Sequence, residues 1–165
     1  MKRSLMTTRR RIALALIIIA TIALDQGTKA VVRRTLMNSY PVRRGVLTLL
    51  HTENPGAFLS LGADLPPNVR HLIFDGLVSI GLLAAGFVLF TGRMQPGPDD
   101  VAIALIIGGG IGNLIDRFRL GGRVTDFIYL QAGPLHTGVF NVADMAITGG
   151  VLWLALSWMF RKKPA

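Results

Sequence analysis

The chain has no cysteine. That removes disulfides, thiolate metal sites and a cysteine nucleophile from consideration. Charge is scarce as well: Asp, Glu, Lys and Arg make up 16% of 165 residues, against roughly 25% in an ordinary soluble domain. Acid is the scarcer sign, with 9 Asp+Glu against 18 Lys+Arg and a formal net charge of +9. Such an excess of base suits either a polyanion or an anionic membrane surface. Aromatic residues, at 7%, are too few to give the stacking platforms of a nucleic-acid binder, so no nucleic-acid partner is expected. The histidines His51, His71 and His136 show no His-x-x-x-His spacing, and no metal site is expected. The run Gly108-Gly109-Gly110-Ile111-Gly112 has no strand before it, which excludes a phosphate-binding loop.

What is abundant is apolar. Hydrophobic residues reach 51%, and they gather in four stretches of roughly the 20 residues a helix needs to cross a bilayer. The stretches cover about 12–32, 71–90, 101–118 and 138–160. The fold class expected is an all-α membrane protein with four transmembrane helices, as one integral membrane domain over 1–165, with outer loops at 33–70 and 119–137. Met1–Arg11 is basic like the start of a signal peptide. The apolar run after it passes into Asp25-Gln26 with no small-x-small cleavage site, so it reads as an uncleaved anchor. Basic residues divide nine and nine between the two faces of this map; the block directly ahead of the first span puts both termini in the cytoplasm. Within the outer loops, 46–52 and 123–129 read as strands and Asn54-Pro55-Gly56 as a turn. Trp153 and Trp158 read as interfacial anchors near the inner end of the last span.

The acids are distributed far less evenly than the bases. Asp99 and Asp100 fall in the short loop between the second and third spans; the other seven fall at the opposite face. Carboxylates near hydrocarbon are costly and normally turn toward a bundle interior. Asn113, Asp116 and Arg117, at i, i+3 and i+4, share a helical face, and so do Asn141 and Asp144 at i, i+3. Two carboxylates in one site cannot both ionise easily, so one keeps a proton near neutral pH while the other is charged. Such a pair can activate water and protonate a peptide carbonyl. Asp126 and Asp144 are the favoured pair, because each follows an extended or turn segment and enters apolar surroundings. Asp116 beside Arg117, and Asp25 one turn from Lys29, both have salt-bridge readings. A Ser60–Lys29 dyad is disfavoured, since Ser60 lies in a loop and Lys29 reads as snorkelling or paired with Asp25.

Five motifs follow one another across the four spans. They are Asp25-Gln26-Gly27-Thr28-Lys29, Asn54-Pro55-Gly56-Ala57-Phe58-Leu59-Ser60, Gly109-Gly110-Ile111-Gly112-Asn113-Leu114-Ile115-Asp116-Arg117, Val124-Thr125-Asp126-Phe127-Ile128 and Phe140-Asn141-Val142-Ala143-Asp144. In their order and context the chain resembles the lipoprotein signal peptidases (signal peptidase II), from about Ile12 to Phe160. That resemblance implies an aspartic endopeptidase of the bacterial inner membrane, with its site near the outer leaflet. It would cut diacylglyceryl-modified prolipoproteins before the lipidated cysteine of the lipobox. The catalytic pair would be Asp126 and Asp144, with Asp25, Asn54, Gly56, Asn113, Asp116, Arg117 and Asn141 shaping the site or binding substrate. Arg117 and Asn54 would hold substrate backbone carbonyls. The resemblance also implies a small extracytoplasmic β-sheet cradle, a short amphipathic segment in the outer loops, membrane lipids as surroundings, no cofactor and a monomer. The alternative is a small proton- or ion-coupled transporter built on the same carboxylates. Transporters set polar groups near the midplane, whereas the inner halves of these spans, such as Ile12–Leu24 and Val151–Phe160, are almost wholly apolar.

Overall fold

A computed structural model describes residues 7–56, 62–91 and 96–160. Four helical stretches in it are long and apolar enough to span a membrane: Thr8–Leu36, Pro67–Phe90, Pro98–Arg119 and Val142–Phe160. The first, α1 (Thr8–Leu36), begins where Thr7 Oγ1 accepts the Arg10 N–H at 3.3 Å, which satisfies one orphan donor of the first turn. The second is composite. A short α2 (Pro67–Arg70) opens on a proline, passes into a π-helical segment His71–Leu77 and continues as α3 (Val78–Phe90). The third, α4 (Pro98–Arg119), and the fourth, α5 (Val142–Phe160), complete the set.

Helix α4 is the centre of the bundle, and its glycines are the reason. In lipid, helices gain little from hydrophobicity toward one another, so close backbone approach and polar contacts hold them together. A Cβ on Gly109 would lie 2.5 Å from the Ala143 carbonyl oxygen of α5, and one on Gly112 would lie 2.6 Å from Asp25 Oδ2 of α1. The bare backbone therefore lets α1 and α5 seat against α4 on different sides. Near the end that carries the N-terminus, Leu14, Leu89, Ala104 and Ile107 form a buried apolar cluster. Beyond it, Arg10 bridges to the fully buried Asp100, and Trp153 Nε1 donates to Asp99 at 3.1 Å. Large apolar side chains such as Leu16, Ile19, Leu83 and Leu156 point outward, as a lipid-facing surface requires.

The opposite end carries an antiparallel sheet of order β1-β2-β3-β4: β1 (Val42–Arg44), β2 (Leu47–Asn54), β3 (Val124–Ala132) and β4 (Leu135–His136). The register of β2 on β3 pairs Thr52 with Asp126 and Asn54 with Val124, and shifts between Leu49 and Thr52. Side chains alternate along a strand, so Asn54, Thr52 and Asp126 share one face. The two strand-like stretches of the sequence are thus β2 and β3.

The last span starts later than its hydropathy implies. Residues 138–141, expected within it, are not helical. Phe140 instead pairs with β3: its N–H donates to Ile128 O at 2.9 Å and its carbonyl accepts from Phe127 and Ile128. Helix α5 begins at Val142, behind a reciprocal cap. Asn141 Oδ1 accepts the Asp144 N–H at 2.9 Å while Asp144 Oδ2 accepts the Asn141 N–H at 3.2 Å. The i, i+3 spacing of Asn141 and Asp144 therefore expresses a cap and not a shared helical face. The first span, conversely, runs beyond the expected 12–32 at both ends.

Candidate active site

Six of the nine expected site residues line one cavity of about 370 Å³ between the sheet and the ends of α3, α4 and α5: Asn54, Gly56, Asn113, Arg117, Asp126 and Asp144. Apart from Thr148 its remaining wall is apolar and includes Phe74, Val78, Leu114, Ile147 and Leu152. An apolar cleft with a few convergent polar groups is the ordinary form of a small-molecule or peptide site.

Strand β3 brings Asp126 in, and the cap of α5 brings Asp144. Asp126 is 2% exposed. Its Oδ2 accepts from Asn54 Nδ2 at 2.9 Å and its Oδ1 from Asn141 Nδ2 at 2.7 Å. Burial, with a smaller contribution from the charge of Asp144, pushes the Asp126 carboxyl up to about 6; the two amide donors oppose that shift without cancelling it. Asp144 has a different set of partners. Its Oδ1 accepts from Asn113 Nδ2 at 2.9 Å and its Oδ2 from the Asn141 backbone. Two carboxyl groups in one apolar cleft, one of them holding its proton toward neutral pH, can supply a base and an acid to the same reacting bond.

Three expected residues stand behind the cavity. Asn141 is fully buried and bonds both Asp126 and Asn113. Asp25 and Asp116 lie between α1 and α4, where Lys29 reaches Asp25 Oδ2 at 2.9 Å and Asp116 Oδ2 at 3.3 Å. Asp25 Oδ1 also accepts the Ala143 N–H at 3.0 Å, and Asp116 Oδ2 accepts the Thr125 N–H at 2.9 Å. The two acids thus fix the residues that immediately precede Asp144 and Asp126. The pairing of Asp25 with Lys29 is the one expected, whereas that of Asp116 is not. Its cations are Lys29 and Arg33 of α1, and the neighbouring Arg117 points away, since residues i and i+1 do not face each other on a helix.

Arg117 and Asn54 were expected to reach substrate carbonyls. In the structure Arg117 donates to the carbonyls of Gly56 and Gly122 and stacks over the Phe74 ring, 4.9 Å from its centroid. Asn54 donates to Asp126 and its Oδ1 accepts the Gly56 N–H at 2.8 Å, which makes the Asn54-Pro55-Gly56 turn. Both side chains hold the wall of the site. Ser60, Ala57 and Phe58 fall outside the described residues.

Several participants were not singled out from sequence. Gln26 Nε2 donates to Asp25, Asp116 and the Gly112 carbonyl, and Arg33 donates to Thr125 Oγ1 at 2.9 Å. For Arg33 the signal was present: Asp25, Lys29 and Arg33, at i, i+4 and i+8, lie along one stripe of the helix. Among the described residues no group of three or more His, Asp or Glu is placed to hold a metal ion.

This constellation falls inside the stretch 17–160 that matches the family model described as signal peptidase (SPase) II. The chain belongs to the signal peptidase II family. It is 39% identical over 164 residues to a lipoprotein signal peptidase of Desulforapulum autotrophicum, covering 96% of this chain and 99% of that one. A lipoprotein signal peptidase of Acinetobacter baylyi is 40% identical, with 88% and 80% of the two chains covered. That of Geobacter sulfurreducens is 37% identical, with 85% and 87% covered. A solved bacterial membrane enzyme shares the fold at a TM-score of 0.78 and 24% identity, over 100% of this chain and 99% of that one. Membership of the signal peptidase II family and four apolar helices make the chain a multi-pass protein of the bacterial inner membrane and a protease.

Proposed function

We propose that this protease removes signal peptides from diacylglyceryl-modified prolipoproteins, cutting before the lipidated cysteine, with Asp126 and Asp144 as an aspartic dyad. Removal of signal peptides from prolipoproteins follows from its family and its relatives. The observation that carries the mechanism is the cleft in which both carboxyl groups converge, each cradled by amide donors.

A water between the two carboxyls attacks the scissile carbonyl. Asp144, which accepts two hydrogen bonds and sits at the partly positive start of α5, takes the water's proton. Asp126 gives its proton to the carbonyl oxygen as the tetrahedral intermediate forms. The intermediate then collapses: one hydroxyl of the gem-diol returns its proton to Asp126 as the carbonyl reforms, the C–N bond breaks, and the proton taken by Asp144 passes to the departing amine. The lipid chains of the substrate lie along the apolar wall formed by Phe74, Val78, Ile147 and Leu152. Lipid anchoring brings the scissile bond to the depth of the dyad, which supplies much of the proximity. The acting unit is the monomer, because one chain contributes every residue of the site. Both termini are cytoplasmic and the sheet end, with the dyad, lies at the outer leaflet.

A transporter using the same carboxylates is not favoured. The polar network is confined to the sheet end, and the cluster of Leu14, Leu89, Ala104 and Ile107 fills the bundle toward the other end. The test uses Asp126→Asn and Asp144→Asn, checked for normal membrane insertion and folding. Each is expected to lose cleavage of a defined diacylglyceryl precursor by at least about a thousandfold. Retention of cleavage by either variant would remove that residue from the dyad.

A further inference from the structure

We propose that Lys29 is a positioning residue for the dyad: by holding the oxygen of the Asn113 carboxamide it turns that amide's nitrogen onto Asp144. The inference rests on the reading of Asp126 and Asp144 as the reacting pair. Lys29 is fully buried and does not line the cavity, so it touches no substrate. Its Nζ donates to Asn113 Oδ1 at 2.9 Å, while Asn113 Nδ2 donates to Asp144 Oδ1 at 2.9 Å.

An ammonium has three protons and no lone pair. Here it has three acceptors: Asn113 Oδ1, Asp25 Oδ2 and Asp116 Oδ2. If the Asn113 amide were flipped, its NH₂ would face the ammonium and its oxygen would face the Asp144 carboxylate. Both contacts would then be repulsive. Asn141 Nδ2, which also donates to Asn113 Oδ1 at 3.2 Å, supports the same orientation more weakly. Asp25 and Asp116 hold the ammonium in turn, so the buried ion cluster of α1 and α4 is a bracket for one amide. The charged and polar groups around Asp144 are Asn113 and Arg117 of α4, Asn141 ahead of α5, Asp126 of β3, and Lys29 with Asp25 of α1. Among them, Lys29 is the one that couples the α1 cluster to the dyad through a hydrogen bond.

The experiment uses the full chain in bicelles with a defined diacylglyceryl-modified precursor. Four variants are compared: Lys29→Gln, Lys29→Met, Asp25→Asn, and Lys29→Met combined with Asp25→Asn. The double variant removes one of the carboxylates that Lys29→Met leaves unpaired, so the fold survives. Thermal unfolding identifies the folded variants. Relative to Asp25→Asn alone, the double variant is expected to lose about 10- to 100-fold in kcat, the range for removing a supporting contact one residue away from the chemistry, with KM within about threefold. The acid limb of its kcat–pH profile moves to higher pH, because a carboxylate deprived of an aimed donor holds a proton more tightly. Lys29→Gln, whose amide can still donate to Asn113 Oδ1, recovers part of the lost kcat relative to Lys29→Met. A folded double variant with the kcat and pH profile of Asp25→Asn would overturn the inference, and so would Lys29→Gln performing no better than Lys29→Met. Asp144→Asn is assayed alongside. If it cleaves normally, the dyad reading itself has failed; if it is inactive while the Lys29 variants cleave normally, only the positioning role has.

Discussion

The carboxyl of Asp126 gives a pH dependence of stability whose sign and size can be worked out in advance. Its pKa is raised from 3.8 to about 6, chiefly by burial. A group whose folded pKa lies above its unfolded value stabilises the fold fully below the unfolded pKa, and that contribution is lost as pH rises through the folded pKa. The window here is from about pH 4 to about pH 6. Within it the unfolded chain has released the proton and the folded chain still binds it. At 1.36 kcal/mol per pH unit, the gap amounts to about 3 kcal/mol. The native fold thus carries an ionisation cost at neutral pH that it does not carry at pH 4.

Asp126→Asn removes the ionisation and keeps the shape. Its amide sets an NH₂ against one of the donors Asn54 or Asn141, a fixed cost independent of pH. The quantity to measure is therefore the difference in unfolding free energy between the two proteins, by SDS titration in mixed micelles from pH 4 to pH 7.5. The difference is expected to move by about 2.5 kcal/mol in favour of the Asp126→Asn variant across that range, with most of the change below pH 6.5. A difference that stays flat within about 1 kcal/mol, or that moves toward the unsubstituted protein, would refute the claim that burial holds a proton on Asp126.

Other consequences follow from single contacts. Arg117→Lys cannot reach the Gly56 and Gly122 carbonyls together, nor stack on Phe74 as a guanidinium does. Cleavage of a defined precursor is expected to fall by at least about tenfold while the protein still inserts; unchanged activity would detach Arg117 from the cavity wall. Arg10→Ala leaves Asp100 buried without its cation and should cost about 2–3 kcal/mol in SDS unfolding. That is below the range for a wholly buried pair, because a third of Arg10 remains exposed. Adding Asp100→Asn should restore most of that loss, with cleavage per folded molecule unaffected in both. Gly112→Ala places a methyl 2.6 Å from Asp25 Oδ2 and should lower the thermal midpoint, by about 1–3 kcal/mol of stability, and displace Asp25 from Lys29. Gly27→Ala, with open space around it, is the control.

What the sequence shows and what it hides divide along physical lines. The four spans were legible because hydrophobic length is a local property, and β2 and β3 were legible from their apolar, β-branched runs. The convergence of Asp126 and Asp144 was legible because acids are rare here and seven of nine fall at one face; Asn113 followed from its helical spacing to Asp116, and Asn54 only from the resemblance. Three details were not, and each depends on partners far along the chain. Hydropathy continued the last span back to Gly138, but pairing of Phe140 with Ile128 takes those backbone groups into the sheet and leaves Asn141 as the cap. Adjacency suggested Arg117 as the partner of Asp116, but the helical turn aims them apart and the cations of α1 fill the place.

The third detail is the use of the buried charges. A lysine with two aspartates in a membrane bundle reads as a structural tie, and by its contacts it is one. Yet each member of the cluster also ends on a group next to the dyad: Asp25 on the Ala143 N–H, Asp116 on the Thr125 N–H, and Lys29 on Asn113. Buried ion pairs add little net stability against apolar residues of equal volume, because desolvation offsets their attraction. Their directional requirements are a different matter, since a buried donor without its acceptor is costly. A cluster of this kind therefore fixes positions better than it adds stability. The cluster thus holds the backbone just before Asp126 and Asp144 and the side chain of Asn113, so α1, a helix that contributes no side chain to the cavity, braces the site from behind.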